Sequence, residues 1–279
     1  MNRMRWVVPI AVALLAAAGC ASTSTDAPQS SPPPPRINAD PSQVVFRFTD
    51  DVGGFIGLEY LLGTRPTVTI YGNGDAYLSW RDRDRGYPGR PLAFVKGTVP
   101  ATVLADLSRD ANSSGLFNGA DYGTVQITDV GSTLFTFHPG HGAARTGSVY
   151  ALGIDDANDS LSPRQRANRQ ALQAFENRLV HSVVTPDGPP TAWLPDRVDV
   201  TLGFPGNPSG VSAAPWQGPP LDTLLTKHKY GRCGVLSGQD ARDVYLAARR
   251  HRTTYWRDGG SVRELVIRAL LPGEAGCRR

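Results

Sequence analysis

The sequence lacks the short motifs that mark the common enzyme and nucleotide-binding families. It contains no G-x-S-x-G elbow, no P-loop and no glycine pattern of a dinucleotide site. Charged residues make up only 19% of the chain, and no stripe of aromatic and basic residues indicates contact with nucleic acid. We therefore predict no catalytic residue, no cofactor and no nucleic-acid partner, although a site assembled from residues distant in sequence stays open.

Cysteine is also scarce, with three residues in the whole chain. Cys20, Cys233 and Cys277 lack the paired spacing of zinc sites, so they predict no metal site. Cys20 belongs to the N-terminal signal described next, which leaves Cys233 and Cys277 as an even pair. In an exported protein such a pair favours a disulfide, with two buried free thiols as the alternative.

The one long apolar run of the chain lies at its N-terminus. Arg3 and Arg5 precede an apolar stretch at residues 6–18, and the small residue Gly19 follows it. This order is typical of a secretory signal peptide, here residues 1–19. The apolar stretch is too short to span a bilayer comfortably as a permanent helix.

Residues 17–20, Ala-Ala-Gly-Cys, resemble the lipobox of bacterial lipoproteins, in which the cysteine receives a diacylglycerol. The chain departs from that pattern at Ala17, where lipoboxes usually have Leu. The A-x-A pattern at 16–18 is a rival site for ordinary secretion. We prefer lipidation of Cys20, which predicts an N-terminal lipid anchor on the outer face of the plasma membrane.

The remaining chain divides by composition. Residues 20–43 are rich in Ser and Pro and predict an unpacked tether. An N-terminal α+β half is predicted at 44–184, and a C-terminal α+β half at 185–279, packed against the first. Removal of the signal peptide lowers the net charge by two from +4, which is too weak to argue for an acidic partner.

Hydrophobic patterning predicts a loop-rich α+β fold with antiparallel sheets, three main helices and a C-terminal disulfide. The strongest signal is a hairpin, since β-rich runs at 67–71 and 76–80 flank Gly-Asn-Gly-Asp. Other strands are predicted at 44–48, 92–96, 124–127, 133–137, 148–152, 199–204, 253–256 and 262–267. Helices are predicted from Pro100 to Gly115, from Pro163 to about Val180 with Ser162 as N-cap, and over 238–250 with a capping box from Ser237 and Asp240.

Two of these helices have assigned faces. On the first, Val103, Leu104, Leu107 and Ala111 are predicted to face the core, and on the second Leu172, Phe175 and Leu179. Arg164, Arg166, Arg169 and Arg178 are predicted to form the solvated face of the second helix, with a ligand site as the alternative.

A few stretches could carry chemistry. His138 and His141 could approach one metal, but no third ligand lies nearby and Pro-Gly between them reads as a turn. The acidic residues at 155–159 lack the Gly and Glu of a calcium loop. The alternating charges at 81–90 predict a solvated loop rather than an anion-binding patch. We assign no metal site to any of them.

Five motifs are distributed over the predicted mature chain. They are YGNGD at 71–75, DYG at 121–123 with TD at 128–129, SVYALG at 148–153, LSPRQR at 161–166 and RALLPGEAGC at 268–277. Together they resemble a family of predicted lipoproteins of actinobacteria. That family has no assigned activity, so the resemblance implies no functional residue.

These observations favour a non-catalytic binding or scaffolding module of the cell envelope, held at the membrane through its lipid. Its candidate partners are an envelope protein or glycan, and Trp193 and Trp216 are candidate ligand contacts in loops. Each tryptophan could instead fill a gap beneath its loop. The alternative function is an exported hydrolase acting on an envelope polymer.

The first prediction concerns the anchor. We expect the full-length protein, expressed in a bacterial host, to enter the detergent phase in a phase-partitioning experiment. The Cys20→Ala variant should stay in the aqueous phase, because it has no thiol to receive the diacylglycerol, and two or more acyl chains are needed for stable anchoring. Wild-type protein in the aqueous phase would contradict lipidation.

Overall fold

A computed structural model describes residues 40–51, 65–79, 91, 93–154, 160–183, 191–203, 212–228, 231–251 and 253–277. All of them belong to one compact unit of the chain. Several predicted features lie outside the described residues: the signal peptide, Cys20, the tether up to residue 39, the charged loop at 81–90, the acidic run at 155–159 and the connection at 185–190.

Thirteen strands and four helices form within these residues. The strands are β1 (Val44–Asp51), β2 (Arg65–Tyr71), β3 (Asp75–Ser79), β4 (Phe94–Thr98), β5 (Ser132–Phe137), β6 (Arg145–Tyr150), β7 (Thr191–Trp193), β8 (Arg197–Leu202), β9 (Ala214–Pro215), β10 (Thr226–His228), β11 (Gly231–Ser237), β12 (Tyr255–Asp258) and β13 (Ser261–Ala269). The helices are α1 (Ala101–Ser113), α2 (Pro163–Ser182), the short α3 (Leu221–Leu224) and α4 (Gly238–Arg250).

The strands form two sheets. The first has the order β6-β5-β1-β2-β3-β4-β7, with every neighbouring pair antiparallel. The second has the order β10-β11-β8-β13-β12-β9 and is antiparallel except for the β9–β12 pair. This confirms the predicted α+β class with antiparallel sheets and three main helices, α1, α2 and α4.

The predicted hairpin between β2 and β3 is present, and Gly74 makes it possible. Its φ of +87° is one that residues with a side chain rarely adopt. A Cβ atom at this position would also lie 2.6 Å from the carbonyl oxygen of Val99. The side chain of Asn73 accepts a hydrogen bond from the Asp75 N–H at 2.9 Å and completes the turn.

The first sheet is buried on both faces. In β2, Ile70 packs in a core with α1 and α2, whereas the next residue, Tyr71, packs in a second core with β8, β13 and α4. Ala76 and Tyr77 of β3 divide in the same way. Because successive side chains of a strand point to opposite faces, the helices cover one face and the second half of the chain covers the other.

The helix bounds match the predictions closely, but some details differ. Ser162 caps α2 as predicted and exchanges hydrogen bonds with Gln165 in a capping box. The capping box predicted for α4 is wrong, because Ser237 ends β11, pairs with Arg197 and makes no side-chain cap bond. Val103 of α1 is exposed rather than in the core.

The strand predicted at 124–127 is also wrong. These residues follow an irregular path instead. The apolar residues of this segment form a small third cluster instead of a strand, in which Val125 packs with Ala151 and Leu161.

Arg169 is the clearest correction to the predicted helix surface, because its side chain is fully buried. It donates hydrogen bonds to the carbonyl oxygens of Tyr122 at 3.3 Å, Tyr150 at 2.9 Å and Ala151 at 2.5 Å. Arg169 lies three residues before Leu172, which places it on the apolar side of α2. It therefore connects α2 to the end of β6 and to the segment around Tyr122.

In the described part of the chain, no helix combines the length and the apolar character needed to cross a membrane.

The second prediction tests the buried arginine. We expect Arg169→Met to lower the free energy of unfolding by about 2–4 kcal/mol, because it leaves buried carbonyl groups without their donors. Arg164→Met, on the exposed side of the same helix, should change it by less than about 0.5 kcal/mol. Urea unfolding followed by circular dichroism measures both, and equal effects would contradict the assigned role.

Candidate functional site

The end of β13 leads into a tight turn at residues 271–274. Pro272 and Gly273 occupy its two central positions, and Gly273 has a φ of +77°. The Glu274 N–H donates to the Leu271 carbonyl oxygen at 3.0 Å. Proline followed by a glycine with positive φ is the signature of a type II turn. The turn therefore fixes the position of the Glu274 side chain.

A disulfide ties the segment after this turn to the second sheet. Cys277 is bonded to Cys233 of β11, at a sequence separation of 44, which confirms the predicted pairing. Closing a loop of this size stabilises the folded state by about 4 kcal/mol on the chain-entropy estimate. The segment from 271 to 277 thus has a covalent attachment at one end and β13 at the other.

The carboxylate of Glu274 joins the two sheets. One oxygen, Oε1, lies 3.2 Å from Nη1 of Arg47 in β1, and the other, Oε2, lies 3.6 Å from Nη1 of Arg268 in β13. The Leu271 N–H also donates to Oε2 at 3.0 Å. A single carboxylate is therefore held by two guanidinium groups and one backbone amide.

Asp199 of β8 holds the other side of Arg268. Its Oδ2 accepts from Nη2 of Arg268 at 2.6 Å and from Nε at 3.2 Å, and also from the Cys277 N–H at 3.3 Å. Burial alone would lower the pKa of Arg268, but the carboxylates of Asp199 and Glu274 raise it above its usual value. Arg268 therefore remains charged and fixed in orientation.

Tyr71 of β2 holds the turn from the first sheet. Its hydroxyl donates to the Pro272 carbonyl oxygen at 2.8 Å. Burial raises the pKa of this hydroxyl well above its usual value, although the charge of Arg47 opposes the rise, so it stays a neutral donor at physiological pH. From the second sheet, Arg197 donates to the Glu274 carbonyl oxygen at 2.8 Å.

These groups surround a cleft of about 360 Å³, which we call the C-terminal cleft. Two arginines and one glutamate are its charged lining residues, and glycine, alanine and proline form much of the rest. Its volume lies within the range of small-ligand sites. Guanidinium groups recognise carboxylates and phosphates, so the chemistry of the cleft suits an anionic group. The lining consists of Ser42, Val44, Arg47, Arg268, Pro272, Gly273, Glu274, Ala275 and Gly276.

The two tryptophans proposed as ligand contacts lie elsewhere. Trp193 is in β7 rather than in a loop, and its ring packs edge-on against Tyr77 at 5.0 Å and Phe94 at 6.0 Å. Trp216 packs edge-on against Trp256 at 5.8 Å and donates from Nε1 to the Pro219 carbonyl oxygen at 2.7 Å. Both are half-buried. Trp193 packs against aromatic residues of the first half and Trp216 against one of the second half, and neither lines the C-terminal cleft.

Of the two histidines considered as metal ligands, His138 contacts the side chain of Gln43. Nε2 of His138 lies 2.8 Å from Nε2 of the Gln43 side chain. Within the ranges that the structure describes, no three His, Cys, Asp or Glu side chains are grouped to hold a metal ion.

Comparison of the chain with family models, with curated proteins and with solved structures finds no match. The lipoprotein resemblance therefore stays a prediction.

The residues of the cleft were not identified as a site from sequence. Arg47, Asp199 and Arg268 belong to three strands far apart in the chain, and nothing in their local pattern predicts that they meet. One signal was available, because Leu-Pro-Gly-Glu at 271–274 is a strong turn sequence that places a carboxylate at a fixed point.

The third prediction compares the stability contributed by the ion pair of Asp199 and Arg268 with that of an exposed ion pair. We expect Asp199→Asn to lower the free energy of unfolding by about 3 kcal/mol, because it leaves the charge of Arg268 without its close partner. Asp110→Asn removes the partner of Arg178 in an exposed pair of similar geometry and should cost less than about 1 kcal/mol. Denaturant unfolding of the two variants measures the difference. Equal losses would show that Asp199 has no special structural role.

Proposed function

We propose that this protein is a membrane-anchored extracytoplasmic lipoprotein that acts as a non-catalytic binding or scaffolding module of the cell envelope. It faces outward from the plasma membrane, is held there through the lipid on Cys20, and binds an envelope glycan or protein. Membership of the actinobacterial lipoprotein family that its motifs resemble is part of the same proposal.

Two features support the location. The first is the N-terminal sequence, in which a signal peptide ends at Gly19-Cys20 and a Pro/Ser-rich stretch follows. The second is the Cys233–Cys277 disulfide, since stable disulfides are typical of exported proteins. The proline and serine stretch would separate the folded part from the lipid.

The observation that carries the binding role is the C-terminal cleft. Its walls come from β1 and β13, and the disulfide holds the intervening turn in place. A preformed site loses little conformational entropy when a ligand binds. Ser42 lies on its lining and is one of the last residues of the proposed tether, so the cleft lies where the tether meets the folded part.

Four groups outside the cleft lining have pKa values that are shifted away from neutral pH, which makes them poor general acids or bases there. Hydrogen bonds from the Ser42 and Gly123 amides lower the pKa values of Asp40 and Asp121, respectively. Burial raises the pKa values of Tyr122 and Tyr245 to about 12. A general acid or base works best with a pKa near the working pH, and all four groups move away from it.

The fourth prediction is binding without turnover. Full-length protein in nonionic detergent should sediment with insoluble glycan purified from bacterial cell envelopes and should release no soluble fragments. Ala275→Leu places a larger side chain in the cleft lining and should reduce the bound fraction at least threefold. Ala171→Leu makes the same change at an exposed site on α2 and should have no effect.

Release of soluble fragments by the wild-type protein, abolished by a single substitution in the cleft, would contradict this proposal. It would instead favour an exported hydrolase.

A further inference from the structure

Two arginines of the C-terminal cleft direct their guanidinium groups to the same position, which the carboxylate of Glu274 occupies. Nη1 of Arg47 and Nη1 of Arg268 approach the same carboxylate from different strands. A guanidinium group carries five N–H donors. Among the described residues, Asp199 holds Nε and Nη2 of Arg268, which directs the remaining nitrogen, Nη1, toward Glu274.

Glu274 occupies this point as a ligand carboxylate would. Its two oxygens contact both guanidinium groups and the Leu271 amide, and its side chain is 17% exposed, at the edge of the open cleft. An incoming anion would therefore meet the same donors from the solvent side. It would compete with Glu274 for them.

The charges near the cleft nearly balance. Arg47 and Arg268 are offset by Glu274 in the lining and by Asp199 beneath Arg268, and a third cation, Arg197, contacts the Glu274 backbone. Asp40 is exposed, and its carboxylate accepts from the N–H and hydroxyl of Ser42, which lines the cleft. Removal of one negative charge should therefore make the cleft attractive to anions.

The shape of the lining keeps this point accessible. An added Cβ at Gly273 would have no atom within 4 Å, so the turn borders open space there. Ala275 also lines the cleft and is exposed. Small residues at these positions allow an anionic group to reach the guanidinium groups.

We propose that the C-terminal cleft binds a small ligand through a carboxylate or phosphate group held by Arg47 and Arg268, and that Glu274 limits the affinity by competing for both arginines. The inference rests on the proposed function in taking this cleft as the ligand site. It adds the chemical class of the ligand and an internal competitor.

The test is isothermal titration calorimetry on the full-length protein in nonionic detergent at constant ionic strength. The probes are acetate, inorganic phosphate and the neutral acetamide. We expect at least one anion to bind Glu274→Gln about tenfold more tightly than wild type, a difference of about 1.4 kcal/mol. Acetamide should bind neither protein. The anion that binds more tightly identifies the preferred group.

Two further variants assign this binding to the cleft. Adding Arg47→Gln to Glu274→Gln should weaken anion binding about tenfold, and adding Ala275→Leu should weaken it without changing any charge. Arg178→Gln removes an equally charged side chain from the exposed pair with Asp110 and should leave affinity unchanged. Circular dichroism checks that each variant is folded.

Equal anion affinity in wild type and Glu274→Gln would overturn the role of Glu274. Binding that survives Arg47→Gln and Ala275→Leu would overturn the site. If Glu274→Gln does not fold, the same two substitutions in the wild-type protein decide the site. Detergent partitioning and glycan sedimentation are measured separately, so failure of anion binding alone contradicts this inference and not the proposed function.

Discussion

Burial of both faces of the first sheet is the constraint on which the rest of this structure depends. A sheet with one solvated face needs apolar residues only at every second position. Here Ile70 and Tyr71 are adjacent and both are buried, in different cores. The helices α1 and α2 cover one face, so the second half of the chain must cover the other. Its position there brings β8 and β13 beside β1 and creates the C-terminal cleft.

Local signals in the sequence are sufficient to predict most helices and strands. They do not predict the contacts between residues that are distant in sequence. Gly74 and Asn73 predict the hairpin because its turn needs positive φ, and Ser162 followed by Pro163 predicts the start of α2. The predicted exposure of Arg169 is wrong because a charged side chain can be buried when backbone carbonyl groups accept its hydrogen bonds. Its position three residues before Leu172 predicts burial on the apolar side of α2. No local pattern, however, predicts that three carbonyl groups accept hydrogen bonds from it.

The candidate site was harder to predict for the same reason. Arg47 and Glu274 come from opposite ends of the chain, and their pairing depends on how the two sheets pack. The disulfide was predictable because only two cysteines remained after Cys20 was assigned. The turn at 271–274 is also predictable from its Pro-Gly sequence. No local pattern predicts that Tyr71 and Arg197 form hydrogen bonds with it.

The ion pairs at the cleft are better explained by specificity than by stability. Removing charges from water costs about as much as their attraction returns, so a buried pair adds little net free energy. A mispacked arrangement of the two sheets, however, would separate Arg47 in β1 from Glu274 and leave these partly buried charges without each other, which is costly. Asp199 and Arg268 are cross-strand neighbours within the second sheet and would stay paired. The network around Glu274 therefore selects one relative position of β1 and β13 from the alternatives that apolar packing alone would tolerate.

The separation of Arg47 and Glu274 along the chain has a consequence for when the cleft can exist. Among the described residues, the buried members of the first core all lie before the end of α2, so much of it can assemble while later parts of the chain are still being made. The cleft needs β1, β13 and the oxidised Cys277 together, and contacts between distant residues form late because long loops must close first. A chain that ends before β13, or in which Cys277 is reduced, would lack the complete site. Formation of the cleft would thus report that the chain has been made as far as Cys277 and that the disulfide has formed.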